Sequence, residues 1–472
     1  MISQAISTKS PERIAAEQLV ADARAVENGT RAMRDAALAS ISDGGNILPR
    51  EAGESEQQFR SRVKTSSLDY NPYSDELARA AGGIMEHGIQ LGAFEPSGIS
   101  ADGKTLFTDV DDVPSCIKEV WEDVDRQGTH GEVFFTKILQ DAMRGVGIFM
   151  VDFWSARDER RLVESEGRAW TAEDDSRFNV RPYLVRIPLE NVIYAKQGVT
   201  FRYWDNKEVY DPDAFEIKII RRIRVIEPGR YRLAVENNGV WEWEEDSDAE
   251  GTPFVPVIPV VVLTFSPLGG EWALGAPYYQ QLADATLSLF GIYSARYRAV
   301  IKAVLALYFG KRLGMKKTVL PDGNIEYSPP SANDFQHLAL VASDDPDADL
   351  RIVESSGAAV AAIEKVLESC RADADRHRTS KLAETRVADA SATRALIDDS
   401  DAKAPLTQVR RQLEDAIENA FRLIRDWAVL ANWNADQFAN RQDGGSVFIG
   451  KAPSKKTEPQ PTAPKSAQED TE

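Results

Sequence analysis

The stretch SSGAAVAAIEKVLESCRADADRHR, residues 355–378, carries one of the two cysteines and one of the four histidines in the chain. These residue types hold metals or act as nucleophiles. On a helix rising ~1.5 Å per residue, Cys370 and His377 stand two turns, ~10.5 Å, apart, whereas shared ligation favours one-turn spacing. Val360, Ile363, Leu367, Cys370 and Ala374 recur at three- and four-residue steps, which places Cys370 in an apolar stripe with charge on the opposite face. The spacing predicts a packing thiol rather than a ligand. Cys116 has no CxxC or zinc-type neighbour, so no disulfide framework is expected.

Other chemical motifs are missing or incomplete. No GxxxxGK[ST] phosphate loop occurs: LGMKKT around Gly314 has lysines without paired glycines, and RGVGIF offers Gly145 and Gly147 without a third. GxSxG and HExxH are absent. Asp345, Asp347 and Asp349 mimic positions one, three and five of a calcium loop, yet Leu350 and Ser356 stand where glycine and glutamate are required, and a solvated acidic loop fits better. His87, His130, His337 and His377 lie in four separate segments. With 75 acidic residues, spacing selects no catalytic pair. Trp204, Trp241, Trp243 and Trp272 suit sheet packing, with base stacking as the alternative. The expectation is a protein with no catalytic residue, no metal ligand and no cofactor.

The elements that would position any site follow from the periodicity. With 472 residues, 43% of them apolar, the chain can build more than one core. Residues 11–38 read as helix, 74–88 as helix and 114–145 as a helix pair with a glycine break. Residues 146–154 read as a strand, followed by a solvated insertion, RDERRLVESEGRAWTAEDDSR. Strands dominate 180–265, with VENNGVWEW as a hairpin turning on Asn238 and Gly239. A long helix is predicted over 278–309, an irregular module over 310–357, a returning helix over 358–378, a break near 379–383 and helix again up to Trp433. The start lacks the basic and apolar regions of an export signal, and no run reaches the ~20 apolar residues that span a bilayer. The proline-rich end is expected to be disordered. Net charge is −19, and the last 22 residues balance four lysines against four acids, so the excess sits in the body. An acidic body is a poor match for gripping DNA.

This order of elements resembles the portal proteins of tailed bacteriophages. The resemblance is carried by LPREAGESEQQFRSRV (48–63), RPYLVRIPLENVI (181–193), and VESSGAAVAAIEKVLESCRADA ahead of ETRVADASATRAL, and it covers roughly residues 47–433. It implies an α+β portal-like fold divided as follows: a helical arm over 1–46, an α/β wing over 47–277, a first stem helix over 278–309 and a clip over 310–357. A second stem helix follows over 358–378, then a tunnel loop and return helix over 379–400, crown-side helices over 401–440 and a disordered tail over 441–472. It further implies a structural ring, commonly of twelve subunits, at one capsid vertex of the virion, assembled in the host cytoplasm. DNA would pass through it in packaging and ejection without sequence-specific binding. The partners implied are other copies of the chain, the terminase large subunit, the head-to-tail adaptor and the capsid or scaffold protein.

In that scheme Glu364, Glu368, Asp373 and Asp375 fall on channel walls and seams. Lys381, Glu384 and Arg386 fall in the tunnel-loop region. Lys311, Arg312, Lys316 and Lys317 form a basic run beside the clip, read either as solvated surface or as a contact with DNA, terminase or adaptor. The competing readings are a nuclease whose carboxylates hold magnesium, and another scaffold or adaptor of the virion.

Overall fold

The computed structural model describes residues 4–39, 47–86, 88–99, 105–110, 113–211, 216–237, 239–244, 254–304, 307–311, 316–320, 324–328, 349–353, 358–378, 392–439 and 444–449. Four helices come first: α1 (Pro11–Glu27), α2 (Thr30–Ala39), α3 (Glu56–Thr65) and α4 (Pro72–Met85). Pro11 takes the first helical position and the Ser10 hydroxyl accepts the Arg13 N–H at 3.2 Å, a start suited to a residue with no N–H of its own. The single helical stretch expected over 11–38 is split at Gly29, whose φ is 79°.

Strands β1 (Ile89–Leu91), β2 (Ala93–Ile99) and β3 (Thr105–Val110) precede α5 (Ser115–Glu122) and α6 (Gly131–Arg144). Next come β4 (Gly147–Trp154), α7 (Arg157–Ser165), α8 (Ala172–Arg177) and β5 (Arg181–Arg186). The residues expected to be a solvated insertion therefore fold. Thr171 and Asp174 form a capping box, Arg168 donates to Asp174 at 2.6 and 2.8 Å, and Trp170 stacks on Phe178.

The strand-rich part contains β6 (Val192–Lys196), β7 (Thr200–Trp204), β8 (Lys207–Asp211), β9 (Glu216–Ile220), β10 (Arg222–Glu227), β11 (Arg230–Asn237), β12 (Val240–Trp243) and β13 (Val260–Leu263). Five of them form an antiparallel sheet in the order β12-β11-β10-β7-β6, and a second sheet runs β13-β4-β5. β11 and β12 make the expected hairpin, with Asn237 opposite Val240 and Gly239 at φ 79°.

The chain continues through α9 (Gln280–Val304), β14 (Leu307–Lys311), β15 (Lys316–Val319), β16 (Ile325–Ser328), β17 (Asp349–Val353), α10 (Ala358–Arg376), α11 (Ala392–Ala431) and β18 (Val447–Ile449). The fold is mixed helix and sheet. Three differences from the sequence expectation stand out. The helix expected to reach Phe309 ends at Val304, because Leu307–Lys311 pairs with β17 and its Tyr308 and Phe309 suit a pleated ladder. The module expected to be irregular holds two ladders, β14 with β17 and β15 with β16. The boundary at 400/401 between a return helix and crown-side helices falls inside the single helix α11.

Two compact units divide the chain, one comprising Met1–Arg24, Tyr73–Gln280 and Thr379–Glu472, the other Ala25–Pro72 and Gln281–Arg378. Residues 47–72, within the segment the resemblance assigns to a wing, belong to the second unit. In the first unit, β4 explains why its sequence is continuously apolar rather than alternating. Phe149 and Val151 enter a core with Phe135 and Ile138 of α6 and Ile417, Phe421 and Ile424 of α11. Ile148 and Met150 enter another core with Val192, Phe201 and Ile226 of the five-stranded sheet. A strand covered on both faces needs apolar residues at every position.

Gly145 and Gly147 serve this packing. Gly145 closes α6 at φ 152°, and a Cβ on Gly147 would lie 2.4 Å from the Ile138 carbonyl oxygen, so only glycine lets helix and strand approach so closely. Trp427 of α11 donates its indole N–H to the Val151 carbonyl at 2.9 Å, fixing that helix to the same strand.

Candidate functional site

The second unit is organised around α9 and α10. Arg296 donates to Glu364 at 2.5 Å and Arg371 Nε to the Tyr293 hydroxyl at 3.1 Å, so ascending positions on one helix meet descending positions on the other and the two run antiparallel. Leu289, Phe290 and Tyr293 on α9 and Leu367 and Ala374 on α10 are buried, while Cys370 is half-buried, its thiol pushed up by burial and by the Asp373 carboxylate. The stripe predicted on α10 is thus a packing face whose buried centre is Leu367 and Ala374. His377 is exposed.

Segments from the start of the chain brace these helices. LPREAGESEQQFRSRV folds as a turn leading into α3, capped by Ser55 and Gln58 reciprocally. Arg62 reaches back to Glu54 through two hydrogen bonds of 2.8 and 2.7 Å and to the Pro49 carbonyl at 2.8 Å, with both charged side chains nearly buried. Glu51 accepts from Arg298 of α9, one bond being 3.1 Å, and that guanidinium holds its carboxyl below the usual range. Tyr70 donates to Asp375 and accepts from Arg378 at 2.7 Å. Arg378 is buried, so the chain is pinned immediately before the segment with Lys381, Glu384 and Arg386, which lies outside the described residues.

The four acidic positions assigned to channel walls have different environments. Glu364 is paired with Arg296, Asp373 with Arg376 at 2.8 Å, and Asp375 with Tyr70 and Arg378, while Glu368 is exposed. Of the basic run, Lys311 ends β14 opposite Asp349. Lys316 and Lys317 begin β15 opposite Ser328 and Tyr327, and Arg312 lies outside the described residues. Consecutive strand positions belong to opposite faces of a ladder, so positions 316 and 317 do not share one.

Chemistry elsewhere is engaged in structure. In the first unit Asp152 accepts from Arg224 at 2.7 Å and from the Tyr183 hydroxyl at 3.3 Å. Arg224 also lies 3.6 Å from Asp205. Burial, with Asp152 adding to it, pushes Tyr183 far above the ordinary phenol range. This cluster ties β10 to β4 with every charge answered by an opposite one, the arrangement of a strut. Cys116 is buried and its thiol is pushed up to about 11, opposite to what a nucleophile needs. Trp241 is buried against Trp204, and Trp272 packs on Phe201. Arg232 lies over Trp243 at 4.2 Å, so these aromatics are used within the sheet. Among the described residues, no three His, Cys, Asp or Glu side chains gather as a metal site.

Sequence reading missed the Arg62–Glu54, Arg298–Glu51 and Tyr70–Asp375–Arg378 ties. Only the first had a local signal, a capping box inside a charged turn. No protein-family model matches the chain, and no curated protein matches it.

Proposed function

We propose that the chain is the subunit of a portal ring of a tailed bacteriophage, a structural conduit for DNA at one capsid vertex. The observation that carries this reading is the out-and-back path of the second unit. Helix α9 leads into two short β ladders, and α10 runs back antiparallel to α9 with side-chain ties along its length. That path fits a stem and clip, and the α/β first unit, with α11 built into its core, fits a wing with a small crown. In this reading terminase and then the head-to-tail adaptor dock on the β module, the capsid or scaffold protein surrounds the ring, and catalysis is left to the motor.

Negative-stain imaging and light scattering of the purified full chain test the proposal. Closed rings with a central opening are expected, at about twelve times the 52.3 kDa chain mass for a dodecamer. A monodisperse monomer at micromolar concentration across several salt conditions overturns it.

A further inference from the structure

One face of the five-stranded sheet packs on β4 through Phe201, Tyr203 and Ile226, and the opposite face carries a different chemistry. The registers place Tyr194, Arg202, Val225 and Arg232 in one row across β6, β7, β10 and β11, with Trp204, Ile223, Ala234 and Trp243 in the next. Ile223, Val225 and Ala234 form a buried floor with Ile6 and Trp241. Above it guanidinium groups lie over three rings: Arg202 on Tyr194 at 5.4 Å, Arg221 on Trp204 at 4.9 Å and Arg232 on Trp243 at 4.2 Å. The two-residue strand period adds Lys196, Glu227, Arg230 and Glu236 to the same face.

Lys196, Arg202, Arg221, Arg230 and Arg232 thus stand against Glu227 and Glu236, a positive surface on a chain whose net charge is −19. Glu227 is shared between Arg230 at 2.7 Å and Arg232 at 3.5 Å, and Glu236 is taken by Arg221 at 2.6 Å. Among the described residues neither Lys196 nor Arg202 has a carboxylate partner. Complementary charge calls for an anionic occupant, and the rings narrow its kind. Single-stranded nucleic acid needs open ring faces on which bases stack, whereas guanidinium groups already lie over all three rings. A guanidinium held flat on a ring still presents its N–H edge to a planar carboxylate, which it can grip by two bonds. A second copy brings another −19 with it, whereas a short acidic segment brings only the carboxylates it uses.

We propose that this sheet face binds an extended acidic segment of another protein, with carboxylates on Arg202 and Arg232. The spacing suits such a segment. Arg202 and Arg232 sit two strands apart in one row, ~10 Å at the backbone. A polyproline II chain returns to the same side every three residues, ~9.3 Å, so acids three apart reach both arginines. The inference uses no residue of the helix pair and no feature of a ring, so its failure leaves the portal reading as it stands.

The test titrates a fluorescein-labelled decaglutamate with the full chain at ~0.05 M salt and reads anisotropy, with thermal melting as the check of folding. The wild type is expected to bind at about 100 µM or tighter. Arg202→Gln and Arg232→Gln are each expected to weaken binding about threefold, and the double variant about tenfold, without moving the melt. Arg161→Gln, at an exposed arginine on α7, is expected to bind as the wild type. If a glutamine variant melts lower, Arg202→Lys and Arg232→Lys carry the test, since each keeps the charge, loses the flat two-bond grip and is expected to weaken binding about twofold. No binding up to about 1 mM overturns the proposal, as does equal weakening by Arg161→Gln, or lysine variants that bind as the wild type. A ten-residue oligothymidylate that binds more tightly than decaglutamate, and is lost in the double variant, overturns it in favour of nucleic acid. A double variant that binds the peptide normally but lowers light scattering of the chain overturns it in favour of a second copy.

Discussion

Arg62 and Glu54 illustrate how two ion pairs on one segment differ in worth. Their side chains are 5% and 8% exposed and share two hydrogen bonds, so removing one partner strands a buried charge, at about 3 kcal/mol. Glu51 and Arg298 are 53% and 36% exposed, where solvent screening leaves about 0.5 kcal/mol. Glu54→Gln is therefore expected to destabilise far more than Glu51→Gln in denaturant titrations near pH 7. The hydrogen bond from Arg62 holds the Glu54 carboxyl below its ordinary value. A carboxyl lowered on folding contributes stability above the unfolded value, about 4.3, and loses it as pH falls through the folded one. The gap between wild type and Glu54→Gln should close below that range. A gap unchanged down to pH 3 would show that the charge of Glu54 does not matter.

At the scale of elements, β18 is held in an unusual way. It pairs with β1 on one side, and on the other Glu418 and Glu414 of α11 accept the N–H groups of Val447 and Ile449 at 3.3 and 2.7 Å. Two carboxylates one helical turn apart thus stand in for the carbonyls of a missing strand. Burial raises the Glu414 carboxyl, so its ionised form carries a cost that is relieved as pH falls. Glu414→Gln keeps an acceptor without the charge and is expected to be neutral or stabilising at pH 7. Glu414→Leu leaves the Ile449 N–H unsatisfied and should cost about 1–3 kcal/mol. Amide exchange at Ile449 reads the difference: equal protection in both variants would remove Glu414 from that role.

Sequence could not disclose this latch, because an acidic i,i+4 pair on an amphipathic helix reads as solvated face. It did disclose the apolar face of α11, where Val409, Leu413, Ile417, Ala420, Phe421 and Ile424 are all buried. It overran α9 because Leu307 and Tyr308 continue an apolar run whose partner, β17, lies more than forty residues on. The ties to Arg298 and Arg378 were hidden for the same reason, since their partners Glu51 and Tyr70 come from the start of the chain.

The whole molecule carries a net charge of −19, which opposes both association of copies and adhesion of DNA. Screening acts differently on the two. Raising salt from ~0.01 to ~0.15 M shortens the Debye length from ~30 to ~8 Å and weakens repulsion between copies, so assembly should strengthen over that interval. Gripping of duplex DNA would weaken over the same interval, because each neutralised phosphate releases a counterion. A conduit needs the first response and not the second. Helix α10 itself holds four acids, Glu364, Glu368, Asp373 and Asp375, against three cations, Lys365, Arg371 and Arg376, so it presents no excess of positive charge to phosphate. Fluorescence anisotropy with a labelled duplex should accordingly show no binding at ~0.15 M salt up to about 10 µM protein, while light scattering in the same buffers shows assembly growing with salt. Micromolar affinity that falls steeply with salt would mean that the protein holds DNA through a concentrated basic surface, and the proposed conduit would give way to a clamp.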